Sequence, residues 1–104
     1  MMQNVAIISA VRTPIGKGMR GVFKAKRPDD LGAITIAEVV KRANVAPDDI
    51  EDIIFGCAMP EAEQGMNVAR IMALRAGLPL NTSGATVNRF CASGRPRLRS
   101  RPKP

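Results

Sequence analysis

Val5-Ala6-Ile7-Ile8-Ser9-Ala10-Val11-Arg12-Thr13-Pro14 opens on four consecutive apolar residues and then turns polar. An apolar run without alternation is the habit of strands covered on both faces, as in α/β sheets. Residues 5–8 are therefore expected to form a buried strand that enters a loop at Ser9. Pro14, Gly16, Gly18 and Gly21 then hold the chain out of regular structure.

The same alternation of elements continues downstream. Asp29-Asp30 after Pro28 offer a cap, and Leu31, Ile34, Val39 and Val40 with three alanines predict a helix over about 31–43, ended at Asn44 or Val45. Its apolar residues occupy more than one stripe, which predicts packing from two sides with Glu38, Lys41 and Arg42 in solvent. Pro47-Asp48-Asp49 reads as one helical turn. Ile53-Ile54-Phe55 reads as a second strand, stopped by Gly56 and Pro60. After a polar loop at 61–65, the spacing of Val68, Ile71, Met72 and Arg75 predicts a helix over 67–76, with Gly77 placed as a left-handed cap. Residues 81–84 read as a loop, 85–88 as a third strand, and 89–94 as a turn toward a helix start. The fold class that follows is α/β.

At residue 95 the character changes. Arg95-Pro96-Arg97-Leu98-Arg99-Ser100-Arg101-Pro102-Lys103-Pro104 holds three prolines and no apolar period, so it cannot continue a buried helix. The chain is thus divided into a folded unit over 1–94 and a basic Pro/Arg-rich tail over 95–104, expected to be disordered or the product of a shifted reading frame. This division also explains the net charge of +7: residues 1–94 hold eleven basic and nine acidic side chains, whereas the tail holds five basic and none acidic. A nucleic-acid reading of the whole chain weakens accordingly, and polyanion binding through the tail remains as the alternative function.

Length and composition bound the remaining possibilities. A chain of 104 residues builds one modest core. With three Phe and no Tyr or Trp, platforms for stacking bases are few. The absence of His removes imidazole acid-base chemistry and His-ligated metals from these residues. Two cysteines make neither a thiolate cluster nor a secreted disulfide scaffold, and no apolar stretch approaches a membrane span, so a reducing, cytoplasmic setting without membrane insertion is expected.

Cys91 is the candidate nucleophile. It stands between a strand and an expected first helical turn, where backbone N–H groups favour thiolate and can hold an oxyanion, and Ser93 and Gly94 are small enough to admit an acyl group. Set against this, a lone cysteine among apolar residues commonly packs as a small hydrophobe, a reading that outweighs chemistry more strongly at Cys57. Gly16-Lys17-Gly18 lacks the remainder of any phosphate-loop pattern and reads as a structural loop. Arg12, Arg70, Arg75 and Arg89 could meet an anionic thioester, although arginine more often lays its stem on the surface with its head in water. Asp48, Asp49, Glu51 and Asp52 read as a solvated face, not a metal site.

Three of these segments resemble one known family, the thiolases, which comprise acetyl-CoA acetyltransferases and 3-ketoacyl-CoA thiolases. Val5 to Gly16 resembles their amino-terminal strand and loop. Gln64-Gly65-Met66-Asn67-Val68-Ala69-Arg70 resembles the opening of a family helix, especially in the thiolases of fatty-acid breakdown, and Val87-Asn88-Arg89-Phe90-Cys91-Ala92-Ser93-Gly94 resembles the active-site segment. The resemblance covers residues 3–94. It implies the amino-terminal part of one βαβαβ-type layered half of the thiolase fold, incomplete here. It also implies acyl transfer between an acyl-CoA and CoA or acetyl-CoA through a thioester on Cys91, whose amide would belong to an oxyanion hole. CoA would be a substrate, with no permanently bound cofactor and no metal, and the complete enzyme would be a homo-oligomer. The family's companion His and second Cys lie much farther along. This sequence has no His, Cys57 falls in the second-strand region, and Arg95, Pro96 and Arg97 depart from the apolar helix that follows the active-site segment in the family. A truncated or frameshifted piece, inactive alone, is the expectation.

Overall fold

The computed structural model describes residues 4–94. Helix α1 spans Pro28–Ala43, strand β1 Asp52–Gly56, helix α2 Val68–Arg75 and strand β2 Ser83–Val87, with single 3-10 turns at Pro47–Asp49, Ala62–Gln64 and Phe90–Ala92. The strands pair in parallel, Asp52 opposite Ser83 through Gly56 opposite Val87. Parallel neighbours need a crossover, and α2 with its flanking loops supplies it. The register is set at its start by Thr82, whose side chain is almost fully buried and donates to the Ile50 carbonyl at 2.9 Å, while the Ser83 amide donates to the Glu51 carbonyl at 3.0 Å.

Helix α2 occupies the middle of the molecule and packs against both strands and α1. Val68, Ala69 and Ala73 are completely buried, and small residues at 69 and 73 let neighbouring layers approach. On the sheet side, a Cβ at Gly84 would stand 3.0 Å from the Arg70 amide nitrogen, so the missing side chain sets the spacing of β2 and α2. On the other side Gly32 of α1 meets the Met72 side chain. The core joins Ile36, Cys57, Val68, Met72, Ala73 and Leu78, with Ile53 and Phe55 packed against it from the sheet's inner face. Ile54, on the outer face, is half exposed.

The carboxyl ends of the helices follow the local signals closely. Asn44 closes α1 at φ 54°. At the end of α2, Gly77 takes φ 82°, its amide donates to the Leu74 carbonyl, and the Leu78 amide reaches the Ala73 carbonyl. These are the paired bonds of a Schellman cap.

Four expectations are corrected. Residues 5–8 form no strand: Val5, Ile7 and Ile8 are 62–77% exposed, and the described sheet contains only β1 and β2. Apolar character states a demand for burial but supplies no pairing partner, and a strand exists only where a neighbour takes its N–H and C=O groups. Helix α1 begins at Pro28 with Arg27 at its N-cap and no side-chain cap, because the Asp29 carboxylate is committed to Arg27. The helix packed on two sides is α2, whereas α1 buries Gly32, Ala33 and Ile36 along one stripe and leaves Ile34 exposed. Finally, β2 begins at Ser83, within the stretch read as loop. The expectations for residues 95–104 lie outside the described residues.

Candidate active site

Beyond Val87 the chain leaves the sheet, and the next residues build a single turn that carries Cys91. Asn88 begins it: its side-chain oxygen accepts from the Phe90 amide at 2.9 Å, an Asx turn that local sequence alone can form. Phe90 adopts φ 49°, a left-handed conformation that costs a non-glycine residue roughly 1–2 kcal/mol. Ser93 offsets that cost. Buried to 5% exposure, its hydroxyl donates to the Phe90 carbonyl at 2.7 Å and accepts from the Arg89 amide at 2.8 Å, and its own amide donates to the Phe90 carbonyl at 3.1 Å.

The result presents Cys91 at the surface. The Ala92 amide is taken by the Arg89 carbonyl at 3.1 Å, while the Cys91 amide has no acceptor among the described residues. A thiol and a donor N–H thus share one exposed residue, the two groups that attack on a carbonyl and stabilisation of its oxygen would require. The turn does not continue into a helix within the described residues; it is one 3-10 turn over Phe90–Ala92.

The turn is also held from outside. The Cys57 amide donates to the Val87 carbonyl at 2.9 Å, which continues the ladder between the strands to the point where the turn begins. One residue earlier, Gly56 lies against the backbone of Ser93 and Gly94, so closely that a Cβ at 56 would overlap the Ser93 carbonyl.

The other candidates are brought to different places. Cys57 is a core residue at 6% exposure, its thiol 3.8 Å from the Gln64 side-chain oxygen. Arg70 grips the carbonyls of Leu80 and Thr82, which assigns its guanidinium to the loop before β2. Arg75 pairs with Asp30 and so ties α2 to α1. Arg12 donates to the Thr13 carbonyl at 3.2 Å, in an open groove between residues 10–14 and α1 whose lining includes none of residues 88–94. Arg89 is exposed on the turn that carries Cys91. Gly16-Lys17-Gly18 enters a turn closed by the Gly21 amide on the Lys17 carbonyl at 2.7 Å. Asp48, Asp49, Glu51 and Asp52 are exposed, with the Asp52 carboxylate accepting from the Ser83 hydroxyl.

Two features escaped the sequence. Ser93 and Gly56 were legible as a small residue and a strand stop, but not as neighbours, since their contact joins residues 37 positions apart. The second feature is charge: residues 12–27 hold six exposed cations and no carboxylate, which a sliding charge count finds and a two-part division at residue 95 hides.

The described residues thus form a short parallel α/β unit with an exposed cysteine on the turn that follows its second strand. Similarity to known proteins places it in a family. A family model described as the thiolase N-terminal domain matches residues 5–98. The 3-ketoacyl-CoA thiolase of Bacillus subtilis (strain 168) is 50% identical over 93 residues, which cover 89% of this chain and 24% of that protein. That of Aliivibrio fischeri is 47% identical over 93 residues, 88% of this chain and 24% of its own length. That of a Marinomonas strain is 47% identical over 91 residues, 86% and 23%. The chain belongs to the thiolase family. It spans about a quarter of the length of the curated relatives it matches.

Proposed function

We propose that this chain carries the acyl-accepting nucleophile of thiolase-type acyl transfer, with Cys91 as that nucleophile and its own amide as one oxyanion donor. The observation that carries the reading is the exposed Cys91 on a turn where its amide has no acceptor among the described residues, within a chain matched over residues 5–98 by the thiolase N-terminal domain. In the first step the Cys91 thiol loses its proton and sulfur attacks the thioester carbonyl of an acyl-CoA. The carbon–sulfur bond to CoA breaks, and the CoA thiolate takes up a proton. In the second step the carbanion of acetyl-CoA, formed by loss of an α-proton to a base, attacks the acyl-Cys91 carbonyl. The carbon–sulfur bond to Cys91 breaks and its thiolate takes up a proton. In the reverse direction Cys91 attacks the 3-keto carbonyl of a 3-ketoacyl-CoA and the carbon–carbon bond breaks to release acetyl-CoA. The CoA thiol, losing its proton, then takes the acyl group from Cys91. Covalent capture divides one difficult exchange into two easier ones. Acyl-CoA and CoA are the substrates this reading assigns, in keeping with the names of the relatives.

Both steps move protons, and general acid-base catalysis commonly contributes a factor of about 100 to 10,000. The sequence contains no His to supply it. The 104-residue chain is therefore expected to take at most one acyl equivalent on Cys91 and not to turn over. Incubation with acetoacetyl-CoA and CoA, followed by intact-protein mass spectrometry and a thiolysis assay, tests this. A stoichiometric adduct lost in Cys91→Ser is expected. Sustained turnover that Cys91→Ser abolishes would overturn the claim of inactivity, and an adduct that survives the substitution would overturn the assignment of Cys91.

A further inference from the structure

We infer that Ser93 and Gly56 are positioning residues for Cys91: the Ser93 hydroxyl closes the nucleophile turn, and the missing side chain at Gly56 lets the end of β1 press that turn into place. The inference rests on the reading of Cys91 as an acyl acceptor. It adds what determines the direction in which the sulfur and the amide face.

Three observations combine. Phe90 sits in a left-handed conformation at φ 49° that its side chain does not favour, and every polar group of its backbone is engaged: its amide by Asn88, its carbonyl by both the hydroxyl and the amide of Ser93. Ser93 is the only one of residues 89–94 that is buried, and its oxygen both donates and accepts within the turn. Its carbonyl side is covered by Gly56, the last residue of β1, paired with Val87 at the point where β2 hands over to the turn. The Cys91 thiol and amide stand between the two anchored ends, at Asn88 and Ser93. The Ser93 oxygen is engaged inside the turn and Gly56 has no side chain, so both act through the orientation of Cys91. A displacement of about 1 Å at a reacting group can cost on the order of 100-fold in rate.

The test uses the full chain and two reagents that demand different things of the same sulfur. p-Nitrophenyl acetate transfers an acetyl group through an oxyanion: the sulfur–carbon bond forms, the ester carbon–oxygen bond breaks, p-nitrophenolate leaves and the thiol proton goes to solvent. With iodoacetamide the sulfur–carbon bond forms at a saturated carbon, iodide leaves, the thiol proton goes to solvent and no oxyanion arises. The ratio of the two rates at Cys91, normalised to that of a short unstructured cysteine peptide, reports orientation independently of simple exposure. Protection of Cys57 reports that the core is intact.

In the parent chain the normalised ratio is expected to exceed that of the peptide by about tenfold or more, and to fall back toward it by a similar factor in Ser93→Ala and in Gly56→Ala. Gly18→Ala, where a Cβ meets nothing within 4 Å, serves as the control that leaves the ratio unchanged. Ser93→Ala removes one oxygen and adds no bulk, so it decides the matter should Gly56→Ala lose Cys57 protection. An elevated parent ratio that Ser93→Ala leaves untouched overturns the positioning role while the acyl-acceptor reading stands. A parent ratio equal to the peptide's overturns both.

Discussion

Asp29 joins a favourable location to a committed partner. It lies in the first turn of α1, where the unpaired amides of a helix favour negative charge, and its carboxylate accepts from Arg27 Nε and Nη2 at 3.0 Å each and from the Asp30 amide at 2.9 Å. The hydrogen bond from Arg27, more than the burial that opposes it, holds the carboxyl below its ordinary range. A carboxyl with a lowered folded-state pKa contributes stability that is fully present above the unfolded value of about 3.9 and is lost as pH falls through the folded value. Urea midpoints of the parent and of Asp29→Asn should therefore differ by a constant amount from about pH 5 upward and converge below about pH 3.9. A gap that stays constant down to pH 2 would contradict the assignment. Gly32 poses a different balance. Alanine there gains up to about 1 kcal/mol of helix propensity, but its Cβ would overlap the buried Met72 thioether, and overpacking typically costs about 1–3 kcal/mol. The expected outcome of Gly32→Ala is net destabilisation, read as a lower midpoint at unchanged m-value.

Helix α2 shows how an element can borrow its cap. Asn67 stands at the N-cap but makes no capping bond of its own. Instead the Thr86 hydroxyl, on β2, accepts from the Ala69 amide at 3.1 Å and donates to the Asn67 side-chain oxygen at 2.6 Å. Asn67 in turn donates to the Gly84 carbonyl at 2.8 Å. A hydroxyl on the strand thus satisfies one of the orphan donors of the helix and locks helix to sheet in a single bond. Thr86→Val keeps the shape and removes the oxygen, so a loss of about 1–2 kcal/mol is expected, together with faster hydrogen exchange at the Ala69 amide. Unchanged exchange at Ala69 would show that the cap lies elsewhere. The sequence marked this helix through its period and its Gly77 stop; its cap could not be read there, because it lies 17 positions downstream of the amide it serves.

Across the whole molecule, charge and apolar surface are unevenly spread. Ile15, Met19 and Val22 are more than four-fifths exposed among the six cations of residues 12–27, and the tail carries five more cations. The alternative reading, polyanion binding through the tail, makes a quantitative statement: five phosphate contacts would give a log–log salt slope of about 4.5 on duplex DNA, with little sequence preference. Fluorescence anisotropy at several salt concentrations would compare the full chain, the chain ended at Gly94, and a full chain with Lys17, Arg20 and Lys24 changed to Gln. Affinity lost with residues 95–104 would support a tail-borne site. Affinity retained by the shortened chain and lost in the triple variant would move the site to residues 12–27.

What the amino-acid sequence determined by itself is whatever is decided within a few residues. The period and stops of the two helices, the left-handed Asn44 and Gly77, the turn at Pro47–Asp49 and the turn that presents Cys91 all follow from local propensity and neighbouring hydrogen bonds. The three segments that carry the family resemblance are legible for the same reason, since they are contiguous. Only the tertiary structure decided which helix lies at the centre, whether Val5 to Ile8 finds a strand partner, and that Gly56 and Ser93 meet beside the turn that carries Cys91. Apolar residues are equally content against any apolar surface, so composition cannot choose among partners. That choice falls to long-range fit, where an absent Cβ at Gly56 or Gly84 lets two backbones come together that the sequence holds far apart.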